Sequence, residues 1–441
     1  MTVESLPVTV ISGFAGAGKT TLKNQLLAQA GDQRIAVIDD SDLRHAIDAL
    51  THARTGARSF DAVIAEQPAS GEPMSVAEAF AEGLDDETAD DGDEHAHDDS
   101  VASDANESTR PVAAHIDTMV TVIDASRFLA DLASSDSLAD RGIAVAGHDD
   151  RTVGEVVIEQ VEFCDVLVIN KADLVTDDEL STLRHILTKL NSRATQIVSR
   201  FGEVSIDDLV NATNFDFEAV ASAPGWLVAL DHDADSVIED DEAGAGIFVY
   251  RARRPFHPAR FFALLHEEWK GVLRSKGYFW IASRNDMAGT LSQAGGTCRH
   301  GPAGYWWVAQ PAEEWPDDEA FRAEIASDWF SSPDEDGNET IGDRRQELVM
   351  IGLNLDRDAW QAKLDACLLG DMEFADGPDA WLAYDDPFPQ WDDDHDHDGE
   401  HDHEHEHEHG HEHGDAHDHD HDHGHDHDDG HDDDNDHGHR H

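Results

Sequence analysis

The sequence predicts an α/β fold with a mostly parallel sheet, a smaller α+β domain after it, and a tail that cannot fold. Three observations carry this. Short apolar runs alternate with helix-competent stretches through the first half, as βαβ units require. Beyond an acidic loop the texture changes to strands interspersed with two helices. From Asp392 onward the chain is almost entirely His, Asp and Glu, and such a segment has no apolar surface to bury.

"VTVIS" (Val8–Ser12) reads as a buried strand, followed by a glycine loop and the helix-competent "KTTLKNQLLAQA". "RIAVID", "FDAVIAE", "DTMVTVIDA" and "CDVLVIN" add four more strands. We expect a first domain over residues 1–230, with an acidic disordered insertion at 85–110, and an acidic linker at 231–246. The α+β domain is expected over 247–390. "GIFVYRARRPFHPARFFALLHEEWKGVLRSKGYFWIASR" reads as a strand, a turn at Pro258, an amphipathic helix and a second strand; "AGYWWVAQ" and "ELVMIGLNL" are further strands, and "AWQAKLDACLL" is a helix. The tail is 391–441. Phe279 and Trp280 are expected in the core. Arg274 and Lys276 are expected to face either an acidic partner or the first domain, and His257 to pack or cap beside Pro258.

Composition narrows the function. A formal charge of −66 excludes a nucleic-acid binder that works through a basic surface. The tail holds 22 acids, leaving 74 against 29 bases in the body, and only seven of the thirty cationic residues are Lys. An acid-coated, Lys-poor surface retains hydration water where salt screens repulsion, so a halophilic cytoplasm is the expected setting. Three cysteines with no CxxC pair point to a reducing compartment and away from a thiolate zinc site. No basic leader precedes the first strand and no apolar run approaches membrane-spanning length, so neither secretion nor membrane insertion is expected.

The strongest motif is "GFAGAGKT", Gly13–Thr20, which satisfies GxxxxGK[ST] between an apolar strand and a helix. Such a loop turns successive backbone amides toward one anion, the lysine reaches the outer phosphates, and the threonine hydroxyl ligates Mg²⁺. The expected phosphate-binding residues are Gly13, Ala15, Gly16, Ala17, Gly18, Lys19, Thr20 and Thr21, with Thr20 on Mg²⁺. "NKAD" follows the strand "CDVLVI". Its aspartate can accept from guanine N1–H and the 2-amino group together, so Asn170, Lys171 and Asp173 are expected to select GTP over ATP. Glu66, at the end of "FDAVIAE", stands where a phosphate-loop enzyme keeps an acid near Mg²⁺ or the attacking water, or caps the next segment.

With these motifs in place, the chain resembles the CobW-type GTPases, a metallochaperone branch of the phosphate-loop GTPases. "VISGFAGAGKTTL", "DAVIAEQPASGEPMSVAEAF", "TVIDASRFLADL", "EQVEFCDVLVINKADLV", "FHPARFFALLHEEWKGVLRSKGYFWIASR" and "GDRRQELVMIGLNLD" carry the resemblance over most of Leu6–Phe374. It implies a GTPase that delivers a transition metal to a client metalloprotein. Family members usually place "NEFG" after the second strand and a CxCC metal site beyond it. Here Asp39 and Asp40 follow that strand, and the short stretch to Asp61 holds no cysteine. Lys19, Thr20, Glu66 and Asp40 are the expected catalytic set. His45, Asp48 and His52 could share a helix face as a substitute metal site or form an ordinary solvated face. His95 and His97 lie in the acidic insertion.

Nineteen of thirty histidines fall between His395 and His441, mostly alternating with Asp or Glu. Acids alone would serve solvation, so histidine at every second position favours metal binding. His401, His403, His405, His407, His409, His411, His413, His417, His419, His421 and His423 are the expected collective ligands, for Zn²⁺ first and Co²⁺ or Ni²⁺ otherwise. The alternative is a non-catalytic metal buffer with a vestigial nucleotide site, or a cobalt or nickel insertion GTPase.

Overall fold

The fold is described from a computed structural model over residues 5–39, 60–85, 114–143, 149–221, 224–230, 244–311, 313, 315–330 and 341–391. Six parallel strands form the first sheet: β1 (Leu6–Ser12), β2 (Ile35–Ile38), β3 (Ala62–Glu66), β4 (Ala114–Asp124), β5 (Val166–Asn170) and β6 (Thr195–Val198). Their order is β2-β3-β1-β4-β5-β6, so the winding direction reverses at β1. Every residue of β1 and β5 is buried, which explains their unbroken apolar runs. Loops at the carboxyl end of such a reversal point are where open α/β sheets hold ligands.

The helices of this layer are α1 (Lys19–Gln29), α2 (Pro73–Asp85), α3 (Phe128–Leu132), α4 (Val153–Glu162), α5 (Asp177–Leu190), α6 (Phe217–Ala221) and α7 (Gly225–Leu230). Capping boxes start two of them, Thr152 with Glu155 on α4 and Thr176 with Glu179 on α5.

A second sheet follows, antiparallel throughout: β7 (Ala245–Ala252), β8 (Val272–Trp280), β9 (Met287–Ala294), β10 (Thr297–Tyr305) and β11 (Gln346–Leu353), in the order β10-β9-β8-β11-β7. With it go α8 (Pro258–Leu265), α9 (Glu319–Ser327) and α10 (Arg357–Cys367). Both faces are covered. Ile247, Val349 and Ile351 share a core with α4, α5 and α7, while Tyr250, Leu348 and Met350 pack with Phe256, Phe261, Trp360 and Leu364. The parallel-sheet P-loop domain and the smaller antiparallel-sheet domain are therefore joined by a common apolar layer.

Phe279 and Trp280 are fully buried, as expected. Pro258 opens α8 at its first turn, with His257 before it packed on Tyr384 at 4.8 Å. Arg274 and Lys276 both turn toward the first domain: Arg274 pairs with Glu162, and the Lys276 ammonium sits 4.5 Å from the Trp226 ring centroid. One expected strand is corrected. "AGYWWVAQ" contributes only Ala303–Tyr305 to β10, and Trp307–Ala309 forms a 3-10 turn. The Asp343 carboxylate accepts from the Trp307 and Val308 amides at 2.9 Å each, which ends the strand. β6, β9 and α9 were not anticipated. No helix among the described residues is long and apolar enough to cross a membrane.

Candidate nucleotide site

The loop between β1 and α1 has the backbone its glycines were expected to give. Gly13 holds a φ of 139°, and a Cβ there would lie 2.3 Å from the Val122 carbonyl oxygen; at Gly18 (φ 110°) it would meet Asn170 Nδ2 at 2.3 Å. Neither position accepts a side chain. Gly18 caps α1 without a side-chain hydrogen bond, and no acid lies in the first turn, so the leading amides remain available to an anion.

Lys19 is buried, donates to the Gly13 carbonyl at 2.5 Å, and forms no ion pair among the described residues. Burial lowers its pKa, and the charge of nearby Glu66 only partly opposes this. An incoming phosphate would supply the missing negative charge. Beside it the Thr20 hydroxyl donates to Glu66 Oε1 at 2.6 Å. That pairing offers a hydroxyl and a carboxylate oxygen, a donor set suited to a hard cation such as Mg²⁺. These residues fit a nucleoside triphosphate with Mg²⁺.

The end of the site that carries "NKAD" is assembled from the segments after β1, β4, β5 and β6. Asn170 is buried; its amide donates to the Ala17 carbonyl at 2.9 Å and its oxygen accepts from the Gly202 amide at 3.1 Å. Lys171 sits in the left-handed region at φ 57° and donates to the Gly16 carbonyl and to Asp124 Oδ2, both at 2.7 Å. Strain of that kind persists only where several contacts impose it. Burial alone would raise Asp124, but hydrogen bonds from Lys171 and Ser126 outweigh it and hold the carboxyl below its usual range. Asp173 is left exposed, with Leu174 and Phe201 presenting apolar surface nearby in sequence and loop. The sequence reading missed the loop after β6, which is fastened to this end by the Ser199 amide on Ile169 and the Ala172 amide on Ser199.

The segment after Glu66 is also held. Arg151 pairs with Glu72 and Asp149 at 2.6 Å and with Glu159 at 3.1 Å, and donates to the Ser70 carbonyl. Gln160 donates to the Ala69 and Gly71 carbonyls at 3.1 Å. On the other side of α4, Glu162 receives Arg274 in a bidentate pair at 2.8 and 3.0 Å, with both side chains under 5% exposed. One helix thus touches both the loop after Glu66 and the second sheet.

Residues 7–65 and 39–198 match the family model "CobW/HypB/UreG, nucleotide-binding domain", and residues 245–368 match "Cobalamin synthesis protein cobW C-terminal domain". A protein of Dictyostelium discoideum named zinc-regulated GTPase metalloprotein activator 1 is 30% identical over 429 residues, covering 87% of this chain and 84% of that one. The chain belongs to the CobW family of GTPases. A Mycobacterium tuberculosis protein named as a zinc chaperone is 30% identical over 278 residues, 63% of this chain and 62% of that protein. The crystal structure of the Zn(II)-bound YjiA GTPase from E. coli covers 83% of this chain and 100% of its own, at 16% identity and a TM-score of 0.36.

For this CobW-family chain, the described residues contain no group of three or more His, Cys, Asp or Glu side chains that could hold a metal ion. Cys164 and Cys367 are buried and Cys298 half-buried. Burial pushes Cys298 up to about 12 and Cys367 up to about 11, so neither offers a thiolate at neutral pH. Asp40, His45, Asp48, His52, His95, His97 and all the tail histidines lie outside the described residues.

Proposed function

We propose that this CobW-family protein binds GTP with Mg²⁺, hydrolyses it, and uses the turnover to pass a transition metal, zinc, from its histidine-rich tail to a client metalloprotein in the cytoplasm. The carrying observation is the meeting of Asn170 with Ala17, 153 residues apart in sequence, which brings the guanine-type "NKAD" loop onto the phosphate loop. Backbone amides over residues 13–21 would hold the phosphates, and Lys19 would answer charge on the transferred group. Thr20 and Glu66 would hold Mg²⁺, which when bound neutralises charge on the phosphates. Glu66 or Asp40 would orient the attacking water, and Asp173 would accept from the guanine edge. Through α4, movement of the loop at Ala69–Glu72 would reach the second sheet and a client docked there.

The test compares GTP and ATP hydrolysis with and without zinc, and metal content of the full chain against one ending at Gln390. We expect GTP-selective turnover and loss of most bound metal on truncation. Metal binding without turnover would favour the buffer reading, and a cobalt- or nickel-selective response would change the cargo.

A further inference from the structure

The apolar stripe of α1 runs through the buried residues Lys19, Leu22, Lys23 and Leu26, at the i, i+3, i+4, i+7 spacing of a core-facing helix. Two of these four positions are lysines. Lys19 belongs to the phosphate loop. Lys23 belongs to no recognised motif, yet it is 6% exposed. Burying an ammonium costs several kcal/mol unless its charge is matched. At Lys23 it is matched twice: Nζ lies 2.5 Å from Asp39 Oδ1, beyond the end of β2, and 2.7 Å from Glu66 Oε2, at the end of β3. Glu66 uses its other oxygen, Oε1, to accept from Thr20.

We infer that Lys23 is a positioning residue for phosphoryl transfer: its ammonium ties Glu66 to Asp39 and so fixes where the Glu66 carboxylate points beside the Thr20 hydroxyl. This rests on the hydrolytic reading above. The geometry favours it over a role in packing alone. Methionine or leucine would fill the same slot without a charge to desolvate, and Leu22 and Leu26 do so in the same stripe. Thr20 alone could hold Glu66 in only one direction, since a single hydrogen bond to Oε1 leaves the carboxylate free to swing about it. The second bond, to Oε2, removes that freedom.

The experiment uses the full chain in high salt and separates binding from turnover: calorimetry for GTP·Mg²⁺, single-turnover hydrolysis for the chemical step. Lys23→Met should lower the hydrolysis rate about tenfold to a hundredfold, the cost of a carboxylate displaced by about 1 Å, with the Kd within about threefold of wild type. Lys23→Arg, which keeps the cation, should recover most of the rate. If Lys23→Met does not fold, Asp39→Asn decides, because that carboxylate is 60% exposed and outside the core. It should slow hydrolysis about threefold to tenfold with binding intact. A folded Lys23→Met with wild-type turnover, an Arg variant no better than Met, or an Asp39→Asn variant of undiminished rate each overturns the inference alone. A wild type that binds GTP and never hydrolyses it overturns the hydrolytic reading and this inference with it.

Discussion

Lys19 at the phosphate loop and Arg274 at the seam between the domains are both buried cations, and their surroundings differ in one respect. Arg274 meets Glu162 through two hydrogen bonds and also reaches Ser292, so its charge is fully answered within the fold. Lys19 has a carbonyl and a partly opposing charge at Glu66, but no ion pair among the described residues. A closed pair contributes to the folded state and has nothing left to bind. An unmatched cation at a helix start costs folding energy that an arriving anion gives back. The difference separates a pair that holds this molecule together from a cation that the proposed nucleotide would answer.

The comparison can be broken most forcefully at the seam. Glu162→Leu should cost about 3–5 kcal/mol of unfolding free energy, because it strands the Arg274 guanidinium in an apolar layer. Denaturant titration reads the loss, and GTP affinity measured well below the transition should change less than about threefold. At the other pole, Lys19→Met should cost about 1.5–3 kcal/mol of GTP binding, tenfold or more in Kd, and leave stability equal or higher. A variant that loses stability and keeps affinity would reverse the assignment. Next is Asp173→Asn, which exchanges a double acceptor for one acceptor and one donor. We expect preference for GTP to fall about tenfold and affinity for xanthosine triphosphate to rise, as competition binding would show.

The smallest effect concerns His300. Burial, with help from His266 and Arg284, depresses its pKa below 6.5 in the folded chain. The unfolded chain then binds the proton more readily, so His300 favours folding above pH 6.5 and its contribution is lost as pH falls below that value. Stability measured between pH 7.5 and 5.5 should decline, and His300→Phe should flatten the profile. An unchanged slope would remove His300 from the account.

How much was legible depended on whether a feature is local. The glycine loop is a run of eight residues whose backbone geometry follows from composition, and the structure gives Gly13 and Gly18 the positive φ that the motif requires. "NKAD" could be read for the same reason, although its contact with Ala17 could not. Lys23 stands in the helix-competent "KTTLKNQLLAQA" with nothing local to mark it, since Asp39 and Glu66 are 16 and 43 residues away. The "AGYWWVAQ" segment was misread because its aromatic residues favour a strand, while the Asp343 carboxylate that turns the chain arrives from elsewhere.

The sequence by itself determined the alternation of apolar strands and helices, the anion-binding loop, the guanine-type loop, the family resemblance and the charge of the tail. These depend on neighbours in the chain, where composition and spacing settle the conformation. Tertiary structure decided which buried cation is paired and which has no ion pair among the described residues, that α4 touches both the loop after Glu66 and the second sheet, and that Arg274 and Lys276 face the first domain. Those facts concern groups distant along the chain, and electrostatic matching in a low-dielectric core is fixed only when packing brings the partners together.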